Sequence, residues 1–162
     1  MKEAFEKLVR LVDSAGQIKG RKKFQKMVYL LQTAGFDFGK NFRYHYFGPY
    51  STELQLEIDA LVDRKFLEEA FDGQAYSYRV VNGTKASRSS SETDKSTSLV
   101  KYLNHQSPQV LELAATLIFL KDKGYGDFDK VTKKAMMLKP DLIDKLPKAK
   151  PVLDRIMSAA RQ

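Results

Sequence analysis

Apolar residues recur at steps of three and four through most of the chain, the spacing of helices that bury one face. Phe5, Leu8, Val9 and Val12 form such a stripe over residues 2–14, closed by Ser14-Ala15-Gly16. Ile18 is a short extended link, and Phe24, Met27, Val28 and Leu31 share one face of a second helix over 20–34, with Gly35 as its stop. Residues 42–47, Phe42-Arg43-Tyr44-His45-Tyr46-Phe47, alternate polar and aromatic and read as a strand leading into a turn at Gly48-Pro49-Tyr50. Leu54, Ile58, Leu61 and Val62 line a third helix over 51–65. Ser51 or Thr52 is its N-cap, and Thr52 with Gln55 fits a capping box. At Phe66 the helical period gives way to alternation, which predicts paired strands at 67–71 and 75–81 around Asp72-Gly73.

Residues 82–98 break both patterns. Six of the seventeen are serine and only Ala86 is apolar, the composition of a flexible linker. Beyond it, Leu99, Val100 and Leu103 begin a short helix, and Ser107-Pro108 starts the next. Val110, Leu111, Ala114, Leu117, Ile118 and Phe119 cover so much of that helix that it should be largely buried. Asp127 caps a helix that ends at Lys139-Pro140, and Pro151 opens the last one. The expected architecture is mostly α with a small antiparallel β wing. A winged helix-turn-helix domain spans 1–81, a serine-rich linker 82–98, and a helical C-terminal half, packed on the first, 99–162.

The 162 residues suit one domain or slightly more. No apolar run is long enough to span a bilayer, and the acidic, polar N-terminus does not have the form of a signal peptide. With no cysteine in the chain, these features fit a cytoplasmic protein that does not act on a membrane. Two histidines, His45 and His105, stand sixty positions apart without the companions a metal site needs. Gly124-Tyr125-Gly126 lacks the remainder of a phosphate loop. Glu68 and Glu69 are neighbours in a strand, so they point to opposite faces and do not form an acid–base pair. The expectation is a protein without cofactor or metal, and not an enzyme.

Charge separates the remaining functions. The net charge is +8, but residues 51–81 carry seven acidic side chains against three basic, while 1–50 carry ten basic against four acidic. The densest basic cluster is Lys19, Arg21, Lys22, Lys23 and Lys26, at the start of the second helix, with Lys40 and Arg43 as extensions. Positive charge there opposes the helix dipole, at a cost of roughly 0.3–1 kcal/mol per nearby charge. An anionic partner would account for it, and a solvated charged face is the simpler alternative. Phe42, Tyr44 and Tyr46 could stack on bases, although aromatics packed inward from a strand are more common. The helix over 51–65 carries Glu53, Glu57, Asp59 and Asp63, which should repel duplex DNA. These residues lead to a nucleic-acid-associated regulator using the basic face at 19–43. The alternative is a protein-interaction module using Glu53, Leu56, Glu57 and Asp63 together with the wing.

The run Lys23-Phe24-Gln25-Lys26-Met27-Val28-Tyr29-Leu30-Leu31-Gln32, then Tyr46-Phe47-Gly48-Pro49-Tyr50-Ser51 with Leu54, resembles the YwgA-type proteins, small prokaryotic proteins of uncharacterised function. Glu112-Leu113-Ala114-Ala115-Thr116-Leu117 fits the same pattern, so the resemblance covers most of the chain outside the serine-rich stretch. More distantly, the Lys-x-x-Lys-x-x-Tyr helix followed by Gly-Pro is similar to the SocA/Panacea group, whose domain is associated with antitoxin and adaptor roles. The resemblance implies a winged-helix-like helical fold and brings no catalytic residue.

Overall fold

The computed structural model describes residues 2–82 and 90–162, with residues 90–94 described by their backbone alone. Its described residues form seven α-helices, a 3₁₀ segment and two small antiparallel sheets, so the protein is mostly α with a minor β part. In order these are α1 (Glu3–Ala15), β1 (Ile18–Lys19), α2 (Arg21–Thr33), β2 (Arg43–His45), β3 (Gly48–Tyr50), α3 (Thr52–Asp63), β4 (Leu67–Phe71) and β5 (Tyr76–Val80). Then follow α4 (Ser90–Asn104), α5 (Pro108–Asp122), α6 (Phe128–Leu138), the 3₁₀ segment Pro140–Lys145 and α7 (Leu146–Ala160). None of the described helices is long and apolar enough to cross a membrane.

Where local chemistry dominates, the elements follow it. Ser107 Oγ accepts from Val110 N at 3.2 Å, with Pro108 in the first turn of α5. Asp127 Oδ1 accepts from Lys130 N at 3.0 Å at the head of α6. Ser51, not Thr52, caps α3, taking Leu54 N at 3.1 Å; Gln55 bonds Asp59 instead of closing a capping box. Beyond α3, Lys65 takes a positive φ of 63° while Phe66 N bonds back to Leu61 O, a left-handed stop that usually falls to glycine. Asp72 Oδ1 accepts from both Gln74 N and Ala75 N, which shapes the β4–β5 turn. These strands pair with Leu67 opposite Val80 and Phe71 opposite Tyr76.

Four elements differ from the expectation. Ile18 and Lys19 are a third strand, pairing beside Tyr78 and Ser77 to give the order β1-β5-β4. Gly48-Pro49-Tyr50 is itself a strand, paired back onto Arg43–His45, so the reversal falls at Tyr46-Phe47. The last helix begins at Leu146 with Pro147 in its first turn; Pro151 lies inside it and forgoes one backbone bond. Helix α4 begins at Ser90, so the linker expected through 98 becomes helix from that point, and its remainder at 83–89 lies outside the described residues.

A single hydrophobic cluster runs through both halves of the chain. Helices α2 and α5 pack against each other at its centre, with α7, α6 and β3 also on α5. Helix α2 is buried around most of its circumference, including Gln25 and Lys26. Helix α5 buries an unbroken run from Val110 to Leu120, including Glu112 and Thr116. Each of the two helices therefore draws one charge inside, Lys26 on α2 and Glu112 on α5, and the partners of these define the site.

Candidate functional site

The lysines expected to form a basic face are mostly directed inward. Helix α2 follows directly on β1 and packs against α5, α4 and β3, so it has protein on several sides. Lys22 Nζ reaches Glu112 Oε1 at 2.5 Å, and Lys23 Nζ donates to the Asn104 carbonyl at 2.7 Å. Both tie α2 to the C-terminal half, which gives the dipole-opposing charge a structural role. Burial lowers the Lys23 pKa. Arg21 Nε donates to Tyr78 Oη at 3.3 Å; that bond raises its pKa, and the guanidinium lies 3.9 Å over the Tyr76 ring and 3.7 Å from Glu69. Lys19 pairs with Asp72 at 3.3 Å, an acid already held down to about 2 by the amides of Ala75 and Gln74.

Lys26 and Lys40 are corrections to the expected face, because both are buried. Lys26 Nζ donates to the Pro49 carbonyl at 2.5 Å. Lys40 Nζ meets Glu57 at 2.6 Å and Glu53 at 3.6 Å, so it engages two of the acids assigned to a protein contact. Arg43 stays exposed and has no ion pair among the described residues. Asp63 is exposed, and Leu56 stands out from α3 at 64% exposure. The two halves of the sequence pattern thus neutralise each other: basic residues from one expected surface hold acidic residues from the other.

What the structure brings together is the β2–β3 hairpin and the centre of α5. Gln25 clamps Ser51 twice, donating to its carbonyl and accepting its amide, each at 2.9 Å. Gly48 adopts a φ of +88° against α5, where a Cβ would lie 2.9 Å from Thr116 Oγ1. Lys139, just past α6, donates to Glu112 Oε2 at 2.7 Å and to the Tyr46 carbonyl at 3.2 Å. Burial alone would push the Glu112 carboxyl up, but the bonds from Lys139 and Lys22 outweigh it and hold it below its ordinary value. The sequence pattern names Glu112 and Thr116 only within the family resemblance and Lys139 only as a helix stop, and gives none of them a place in a site. The available signal is an acid inside the apolar run Val110–Leu120, which needs a buried cation.

This fastening holds the turn of the hairpin out in solvent. Phe42 packs on Tyr29 with ring centres 5.0 Å apart, and Tyr44 leans on Phe119 at 5.8 Å. Tyr46 is 87% exposed and Phe47 54% exposed. The inward packing expected of this aromatic series therefore ends before the turn. Lys22 Nζ lies 4.8 Å over the Phe47 ring. The histidines do not converge: His45 lies against Tyr50 with ring centres 5.0 Å apart, and His105 Nδ1 is 2.7 Å from the Lys101 carbonyl.

Burial lowers the Lys26 pKa to about 7, against the partial support of Glu112. The unfolded chain keeps that proton to its ordinary range, near 10.5. Between these values the unfolded state binds more protons, so the Lys26 contribution to stability should rise with pH from about 7 and level off near 10.5. Urea unfolding at pH 7 and at about pH 9, below the range where tyrosines titrate, should show this rise. Lys26→Met should flatten it, and an unchanged difference between the two pH values in that variant would refute the assignment.

The chain is similar to the uncharacterised protein YwgA of Bacillus subtilis (strain 168), with 31% identity over 119 residues that cover 70% of this chain and 72% of that protein. No family model matches the chain.

Proposed function

We propose that this chain, which belongs to the YwgA-like family, is a non-enzymatic binding module whose partner is a protein, in the manner of an antitoxin or adaptor. The order α1-β1-α2-α3-β4-β5, interrupted by the β2–β3 hairpin between α2 and α3, supports a winged-helix reading of the N-terminal half, in which β4 and β5 are the wing. The distant resemblance to the SocA/Panacea group points the same way. The observation that carries the proposal is the placement of charge and apolar surface. Lys22, Lys23, Lys26 and Lys40 are held by partners within the fold and Lys19 and Arg21 are paired at the surface with acids of the wing, whereas Tyr46, Phe47, Leu56, Phe71 and Met137 face solvent. Duplex binding needs cations free to neutralise phosphates; a protein interface needs aromatic and apolar anchors.

A nucleic-acid reading retains one support of its own. Lys121, Lys123, Lys130, Lys133, Lys148 and Lys150 are exposed in the C-terminal half and have no acidic partner among the described residues. Purification of the tagged chain from its native host, with and without nuclease, separates the two. The protein reading expects a stoichiometric protein partner that survives nuclease, and no binding of a mixed DNA and RNA panel at tens of micromolar protein in low salt. Binding of that panel with a log–log salt slope of roughly −3 to −5, reduced by Lys121→Glu with Lys133→Glu, would overturn it. Lys26 is unsuitable as a probe because a carboxylate at its buried position would unfold the protein.

A further inference from the structure

We infer that the β2–β3 hairpin tip, with the adjoining end of α6 and the 3₁₀ segment, is the docking surface for an acidic protein segment that carries bulky apolar side chains. This rests on reading the chain as a protein-interaction module and names the place and the chemistry of the contact.

Buried Lys139 ties the hairpin to the end of α6. Its ammonium bonds the Tyr46 carbonyl and lies 5.7 Å from the Tyr44 ring, while its neighbours along the chain, Met137 and Leu138, are both exposed, Met137 at 82%. Ile143, one turn further on the 3₁₀ segment, is exposed as well. Several exposed apolar groups of this size, on rigid supports that Lys139 ties together, are characteristic of an interface, not of ordinary surface. The tip is also pre-organised, because Gln25, Lys26, Gly48 and Lys139 each fix the hairpin backbone. A partner would lose little affinity to ordering it.

The rim determines the sign of the partner. Lys133 and Lys134 stand one helical turn before Met137 and Leu138, on the same side of α6. Arg43 is exposed on β2, and Lys22 reaches the Phe47 ring from the other side. Glu112 is buried and engaged by two lysines; on the 3₁₀ segment Asp144 pairs with Lys145, so the acids to set against Lys133, Lys134 and Arg43 are Asp141 and, one turn before Lys133 on α6, Asp129. The surroundings are thus net positive and complementary to carboxylates. A single-stranded nucleic acid fits less well. The Tyr46 and Phe47 rings meet at 74°, so they do not offer successive parallel platforms, and Met137, Leu138 and Ile143 supply aliphatic contacts that bases do not use.

Fluorescence anisotropy tests this with a short labelled peptide in which glutamates alternate with phenylalanine and leucine. Controls are the same peptide with lysine in place of glutamate, polyglutamate, and oligothymidylate as competitor. The acidic apolar peptide should bind, and more weakly as salt rises. Tyr46→Ala and Phe47→Ala, both at exposed positions and checked for folding by circular dichroism, should each weaken it by roughly tenfold or more, as truncation of an anchor does. Lys133→Glu should weaken it severalfold. Affinity unchanged in the two aromatic variants, equal binding of polyglutamate, absence of binding, or displacement by oligothymidylate would overturn the inference. The host purification keeps this apart from the broader reading. A nuclease-resistant complex indifferent to Tyr46→Ala refutes the docking surface alone, while the lack of any such complex refutes the module.

Discussion

Replacing Glu112 with glutamine should lower the unfolding free energy by about 3–5 kcal/mol, the cost of leaving a buried cation without its counter-ion. Glu112 and Lys139 are both buried, and Lys139 Nζ lies 2.7 Å from the carboxylate. Glutamine keeps the volume and one acceptor oxygen but removes the charge that offsets Lys139. Lys22 is only partly buried and can swing out to water, so the penalty falls chiefly on Lys139. Replacing the buried pair together, Glu112→Leu with Lys139→Met, should recover much of the loss, since apolar pairs substitute well for buried ion pairs. The depressed Glu112 pKa fixes the acid dependence. Its stabilising contribution is complete above its ordinary value near 4.5 and is lost as pH falls through the lower folded value. Urea unfolding at pH 7 and across the acid range, for parent and variants, measures both effects. A single variant within about 1 kcal/mol of the parent would show that the cluster contributes little net stability.

The same cluster shows where sequence reading stopped. Signals confined to neighbouring residues were legible: Ser107-Pro108 and Asp127 as helix starts, Leu54-Ile58-Leu61 as a buried face, and Asp72-Gly73 as a hairpin turn. Each is settled within one helical turn or one reversal, where backbone geometry and a single side chain decide. Pro151 misled because Pro147, a turn earlier, is the residue that starts the helix. Gly48-Pro49 reads as a turn because that pair usually breaks structure, yet here Gly48 approaches α5 and the chain pairs on through Tyr50. The basic cluster misled for a deeper reason. A lysine in sequence carries its charge but not the direction of its side chain, and Lys22 finds its carboxylate in the other half of the chain. Lys40 finds Glu57 across a loop and a hairpin. The exposure of Tyr46 and Phe47 was hidden for the converse reason: alternating aromatics signal a strand, but only the clamp on Gly48, Pro49 and Ser51 shows that the turn stands clear of the core.

Gly48 should be the position in the hairpin least able to accept a side chain, and Thr116 the reason for much of its sensitivity. Two costs meet there. An L-residue at a φ of +88° is strained by about 1–2 kcal/mol, and a Cβ 2.9 Å from Thr116 Oγ1 adds overpacking of about 1–3 kcal/mol. Gly48→Ala should therefore destabilise by roughly 2–5 kcal/mol, the sum of those two ranges. Thr116 Oγ1 is buried and has no hydrogen-bond partner among the described residues, so Thr116→Ala removes none of their bonds and should cost about 1 kcal/mol or less, the value of the lost methyl group. The double variant separates the two costs. Because the new Cβ meets Thr116, Gly48→Ala with Thr116→Ala should be more stable than the sum of the single changes allows, with a coupling of about 1–2 kcal/mol. The strain of the backbone remains in the double variant, so full recovery is not expected. Strictly additive effects in urea unfolding would show that α5 yields to the new methyl group and that φ alone makes Gly48 necessary. Since Gly48 sets how the hairpin lies on α5, partial recovery of stability should be matched by partial recovery of acidic-peptide binding at Tyr46 and Phe47, measured by anisotropy on the same proteins.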